Sequence, residues 1–153
     1  MYYHEEIMDL FSVGDSYYLA HCISADFKLG AGIAVEFDRR FNMRSKLFER
    51  YPSGYFDALR EFGVDGGCIL VDRVFNLITK RHYYQKPTID SLSTALLYMA
   101  TIIQQTGINK NNDLKIAMPL IGCGLDRLRW EDVKNSIYFT FSNLDLEILV
   151  CKR

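Results

Sequence analysis

The chain has few cysteines, and none of the four, Cys22, Cys68, Cys123 and Cys151, forms a CxxC pair or stands at zinc-ligand spacing from a histidine. That leaves no pattern for a structural metal site. No run of about 18 apolar residues occurs, so no segment reads as a membrane span. The opening MYYHEEIMDLF lacks the basic flank and apolar stretch of a secretory leader, which predicts a soluble protein of the cytoplasm or, in a eukaryote, the nucleus. Net charge is only −1, so global attraction selects neither nucleic acid nor an anionic membrane as a partner. Long repeats, low-complexity segments and linkers are also absent.

What is present is the material of a core. With 49% hydrophobic and 14% aromatic residues in 153, the chain can bury one substantial interior but is too short for two, which predicts one domain over residues 1–153. Tyr2 to Ile7 reads as a strand. Tyr17 to Ser24, nearly continuously apolar, reads as a central strand covered on both faces. Gly30 and Gly32 then lead into AVEFDRRF, where Ala34, Val35, Phe37 and Phe41 share a helical face. Residues 42 to 66 hold one short helix, FDALREF, ended by Gly63; the rest of that stretch is unassigned.

Cys68 to Val71 and Val74 to Thr79 predict an antiparallel pair around an Asp72-Arg73 turn. Thr88 caps a helix running to Thr106, with Leu92, Leu96, Met99 and Ile103 on one stripe and Gly107 as its stop. Leu114 to Met118 is a buried strand stopped by Pro119, and a further helix carries Val133, Ile137 and Phe141. LEILVC closes the chain as a strand. The order β-β-α-β-β-α-β-α-β predicts an α/β fold: a three-layer α/β/α sandwich with a mixed sheet.

Ligands in such folds bind beyond the carboxyl ends of the strands, and both glycine loops fall there. Gly30-Ala31-Gly32 follows one strand and Gly122-Cys123-Gly124 follows another, each freeing backbone N–H groups to approach an anion. Neither loop is GxxxxGK followed by Ser or Thr, which excludes a P-loop; the third glycine of GxGxxG is missing, and no GxSxG elbow exists. Two phosphate loops without those motifs point to a phosphorylated nucleoside whose chemistry comes from other side chains. Asp126, a carboxylate beside such a cradle, is there for helix capping or for chemistry.

Three stretches in order carry a resemblance: HCISADFKLGAGIAVEFDRRF from His21 to Phe41, NLITK ending at Lys80, and MPLIGCGLDRLRWEDV from Met118 to Val133. Together they resemble the macrodomains of the terminal ADP-ribose protein glycohydrolase type, over nearly the whole chain. A more distant similarity is to macrodomain antitoxins that remove ADP-ribose from DNA. A compact domain of this length is expected to act as a monomer, and the resemblance implies a macrodomain with a cleft for ADP-ribose, needing no metal and no cofactor, acting on ADP-ribosylated protein or nucleic acid and on no membrane. It implies that Lys80 attacks the anomeric carbon of the distal ribose and that Asp126 moves protons and resolves the lysine-bound intermediate. It assigns Asp9 and Leu10 to the adenosine side and Ser24 to binding. Gly30, Ala31, Gly32 and Ile33, with Ile121, Gly122, Cys123, Gly124 and Leu125, form the phosphate and ribose cradle. Where relatives carry KGDLF this chain has IMDLF, with Met8, and where they carry MPRIG it has Leu120.

Acidic side chains are the expected acceptors, because a carboxylate leaves readily and suits a site with so few catalytic groups. Nucleic acid is the alternative acceptor; a non-catalytic ADP-ribose reader and an ADP-ribose-1″-phosphate phosphatase are the others. Each residue also has a plainer reading. Lys80 alone is a solvated lysine at a strand end, Asp126 a turn or cap residue, and Cys123 a thiol with no base near it in sequence. His21 reads as a hydrogen-bonded core histidine. The basic cluster Arg39, Arg40, Arg44, Lys46 and Arg50 reads as solvated helix surface, and Tyr83 and Tyr84 as rim or packing aromatics.

Overall fold

The computed structural model describes residues 1–153. Its elements are β1 (Tyr2–Ile7), β2 (Tyr17–Ser24), α1 (Ile33–Phe41), α2 (Met43–Arg50), α3 (Tyr55–Phe62), β3 (Gly67–Val71), β4 (Val74–Lys80), α4 (Ile89–Thr106), β5 (Lys115–Met118), α5 (Trp130–Phe141) and β6 (Glu147–Lys152). One sheet takes all six strands in the order β1-β6-β5-β2-β4-β3. Every pairing is parallel except β3 with β4, so the sheet is mixed as the sequence predicts. Parallel strands all end at one edge, and β1, β2, β4 and β5 deliver their following loops there.

The sheet is covered on both faces because its central strands are apolar on both sides. Along β4, Phe75 and Leu77 face a core completed by Leu92, Leu96 and Met99 of α4 and by Val133, Ile137 and Phe141 of α5. Val74 and Ile78 face the opposite core, with Phe37 of α1, Met43 and Leu47 of α2 and Ala58 of α3. The α4 boundaries follow from local chemistry. Thr88 Oγ1 accepts the Ser91 N–H and Ser91 Oγ accepts the Thr88 N–H, both at 3.0 Å, while Gly107 ends the helix in the left-handed conformation. Asp72, at φ 53°, makes the β3–β4 turn.

Three expectations change. The unassigned stretch holds α2 as well as α3, both packed on the second core. Val35 is exposed, because the buried stripe of α1 runs through Ala34 and Phe37 alone. Cys22, which a strand covered on both faces predicts to be buried, is partly exposed, whereas Cys68 and Cys151 are buried. No helix is long and apolar enough to cross a membrane.

His21 is a core histidine, fully buried and stacked on Phe37 with ring centroids 3.8 Å apart. Its Nε2 lies 2.7 Å from Asn76 Oδ1, and Asn76 Nδ2 donates to the Ile69 and Val74 carbonyls, which orients the amide oxygen toward the ring. Nε2 is therefore the protonated nitrogen, and Nδ1 has no partner. Burial pushes the His21 pKa down to about 4, the Asn76 bond opposing this. The unfolded chain binds a proton here below about pH 6.5 that the native state refuses until near pH 4, so stability is present above that window and is lost as pH falls through it. Urea unfolding at pH 7 and pH 5 is expected to show about 2 kcal/mol of loss from this residue, and His21→Gln should flatten the slope between the two pH values.

Candidate active site

Lys80 is the last residue of β4 and pairs in register with Ser24, the last residue of β2, across an irregularity between Ile23 and Ser24. The Ala25 N–H donates to the Lys80 carbonyl at 2.9 Å, so the two strand ends are locked together as the chain leaves the sheet. From there the Lys80 side chain reaches Asp126, with Nζ 2.8 Å from Oδ1. The pair is largely withdrawn from solvent, its side chains 15% and 20% exposed. Asp126 does not cap a helix. The residue at the start of α5 is Arg129, without a side-chain cap bond, and Asp126 spends its carboxylate on Lys80.

The loop carrying Asp126 is closed on itself. Leu128 N–H donates to the Gly122 carbonyl at 2.7 Å, and Cys123 N–H to the Leu120 carbonyl at 3.2 Å. Gly122 has φ 74°, so its backbone favours glycine, and a Cβ there would stand 2.9 Å from Leu128 Cδ1, which would have to move aside. Ile121 is buried and packs on the first core, as do the partly buried Leu120, Cys123 and Leu128. Burial pushes the Cys123 thiol up, which keeps it protonated and poorly nucleophilic. Gly124 and Leu125 stand out toward solvent.

The first glycine loop meets the second. A Cβ on Gly32 would lie 3.5 Å from Leu125 Cδ1, which brings the start of α1 against the Asp126 loop. Gly32, at φ 61°, precedes α1 with no side-chain cap, leaving the first N–H groups of that helix available to an anion. Gly30 and Ala31 are exposed and Ile33 is partly buried. At the far edge Asp9 Oδ1 accepts the Phe11 N–H at 3.0 Å, and Leu10 is buried beneath it, offering backbone rather than side chain. Met8 packs on the second core. From β1 to β4 the strand ends span four spacings, roughly 19 Å at about 4.8 Å each, the length of an extended dinucleotide-sized ligand.

Sequence reasoning missed the residues that bind these loops to one another. Asp26 Oδ1 accepts Ser24 Oγ at 2.5 Å and the Lys28 N–H at 3.2 Å, and its Oδ2 accepts the Tyr83 N–H at 2.8 Å. Lys86 Nζ donates to the Leu125 carbonyl at 3.0 Å. Residues 81–86, directly after Lys80, are thus fastened to the first glycine loop at one end and to the Asp126 loop at the other. The only sequence signal was a carboxylate two residues past a strand-end serine, a common turn pattern. Tyr83 and Tyr84 are exposed rim aromatics, Tyr84 lying parallel to the His82 ring at 5.4 Å.

The basic cluster is largely occupied. Glu36 binds Arg39 and Arg40, Lys46 binds Asp72, and Arg50 donates to the Leu70 carbonyl. Arg44 Nε donates to the Phe27 carbonyl at 2.9 Å and so serves the first glycine loop. No three His, Cys, Asp or Glu side chains converge as metal ligands.

No family model matches the chain. It is 38% identical over 143 residues to a human protein named ADP-ribose glycohydrolase OARD1, covering 93% of this chain and 86% of that one. It is 25% identical over 132 residues to a Mycobacterium tuberculosis DNA ADP-ribosyl glycohydrolase, covering 85% of this chain and 36% of that protein. Among solved structures, the macrodomain of Thermus aquaticus DarG superposes with a TM-score of 0.76 at 21% identity, covering 99% of this chain and 98% of that one.

Two expectations follow from the loop geometry. Gly122→Ala should cost roughly 1–3 kcal/mol in thermal or urea unfolding, from the left-handed backbone and the Leu128 contact together. Asp26→Asn leaves at most one oxygen for three donors, and hydrogen exchange should show the Tyr83 or Lys28 amide losing about tenfold or more of its protection while the central strands keep theirs.

Proposed function

The chain belongs to the macrodomain family of ADP-ribose glycohydrolases, and on that premise we propose that it removes ADP-ribose from acidic side chains of modified proteins, with Lys80 as nucleophile and Asp126 as proton carrier. The observation that carries this reading is the Lys80–Asp126 contact at 2.8 Å, at the place where the two glycine loops and the end of β4 converge. The ADP-ribose would lie along the strand ends, its adenosine near Asp9 and Leu10, its ribose against Ser24, and its diphosphate between the loops Gly30–Ile33 and Ile121–Leu125.

An amine attacks carbon only after losing a proton, and Asp126 Oδ1 is placed to take one from Nζ. Nζ then forms a bond to C1″ of the distal ribose while the C1″–O bond breaks, its electron pair leaving on the acceptor carboxylate. Asp126 gives its proton to solvent, then takes one from an incoming water whose oxygen bonds to C1″ as the Nζ–C1″ bond breaks, and returns that proton to Nζ. The products are free ADP-ribose, the carboxylate and one proton, with the enzyme restored. All of these groups come from one chain, which supports action as a monomer; the activity is assigned to the cytoplasm or nucleus.

The test is release of free ADP-ribose from a glutamate-ADP-ribosylated protein, with an ADP-ribosylated DNA oligonucleotide beside it. Lys80→Ala and Asp126→Ala should each reduce turnover by about a thousandfold or more. ADP-ribose affinity, measured by calorimetry, should hold within about tenfold. Turnover by Lys80→Ala at the wild-type rate would refute the nucleophile, and binding without release by the wild type would make the protein a reader.

A further inference from the structure

The nucleophile stands at the junction of two concavities, and the second has no role so far. Beside the cradle, a cleft of about 590 Å3 opens between the end of β4, the 81–86 segment and the first turns of α4. Lys80 is the one residue it shares with the catalytic pair and the cradle. Its wall is polar: Thr88, Ser91 and Thr94 come from the cap and first turns of the 18-residue α4, whose positive end favours negative charge. Thr79 also lines it, 2% exposed.

One cation of this cleft is unspent. Arg81 lines it next to Lys80, and its guanidinium makes no ion pair or hydrogen bond within the chain. Lys86 lines it too, held by the Leu125 carbonyl. Asp65 and Asp90 are on the same wall without an ion-pair partner, and with Lys80 paired to Asp126 and Lys86 held by a carbonyl, Arg81 is the free cation facing them. That mixture suits one anionic group set among amide donors, not a run of phosphates. A guanidinium offers two parallel N–H groups that match the two oxygens of a carboxylate.

Resting on the glycohydrolase reading, we propose that this cleft is the acceptor subsite: it holds the modified acidic residue with its flanking peptide, and Arg81 receives the carboxylate as it leaves. When the C1″–O bond breaks, its electron pair becomes the negative charge of the departing carboxylate, and Arg81 neutralises that charge as it forms. Asp65 and Asp90 accept N–H groups of the peptide on either side. Arg81 is a specificity-determining residue, because it acts on the acceptor and not on ADP-ribose.

The test compares Arg81→Gln and Arg81→Lys with wild type on two substrates, a glutamate-ADP-ribosylated peptide and an ADP-ribosylated DNA oligonucleotide. Arg81→Gln should lower kcat/KM on the peptide by about 10- to 100-fold and shift the peptide-to-oligonucleotide ratio by at least about tenfold, with Arg81→Lys recovering part of the loss. The Kd for ADP-ribose, measured on the same variants, should stay within about twofold, which also shows that they are folded. An unchanged ratio in an active protein overturns the acceptor assignment alone. Release from neither substrate by the wild type overturns the glycohydrolase reading and the assignment with it.

Discussion

The site depends on holding the loop between β2 and α1 in a conformation that its own side chains disfavour. Phe27 and Leu29 sit at φ 55° and 46°, in the left-handed region where bulky residues cost about 1–3 kcal/mol each. The compensation is visible around them. Phe27 is fully buried against Phe48 and Tyr51 of the α2 end, and its carbonyl accepts Arg44 Nε. Asp26 gathers three donors from both sides of the loop. Without that support the loop would relax, Gly32 would leave Leu125, and the two cradles would no longer face one ligand. The helices α2 and α3 therefore belong to the site although they contribute nothing to its lining.

A second constraint is electrostatic. Lys80 and Asp126 are mostly withdrawn from water, so each is the other's main compensation for lost hydration. Cys22 lies under them and feels both charges, but burial is the larger influence and pushes its thiol up to about 12. It is neutral at working pH and adds no third charge to the pair. The site keeps one cation and one anion in contact, with nearby Thr79 uncharged, and this lets a proton move between Nζ and Oδ1 without a large change in net charge.

Much of this was legible in the chain. Strands whose faces are both apolar, a Thr88-to-Gly107 helix and the two glycine loops placed the sheet, its mixed character and the edge at which the site lies. NLITK and GLDRL named two side chains that the fold brings into contact, because a short motif can name a side chain even where periodicity is silent. What remained hidden depends on contacts between segments distant in sequence. Asp26 to Tyr83 crosses 57 positions and Lys86 to Leu125 crosses 39. The left-handed Phe27 and Leu29 run against local preference, and α2, short and amphipathic only in part, gains its helix from packing on the second core. Val35 was misjudged because a helix buries the stripe its neighbours dictate, not every apolar residue near it.

The two groups proposed for catalysis are held in unequal ways, and the difference suits the work proposed for them. Lys80 grows from β4, a strand buried in both cores and paired on both sides, so its backbone is fixed by the most cooperative part of the molecule. Asp126 stands on a loop tied by the Gly122–Leu128 bond, by Lys86 and by Lys80 itself. A nucleophile must meet one carbon from one direction, which rewards rigidity. A proton carrier must serve the amine, solvent and an incoming water in turn, which rewards a small range of positions. On the proposed mechanism, the strand end serves the first task and the glycine loop the second.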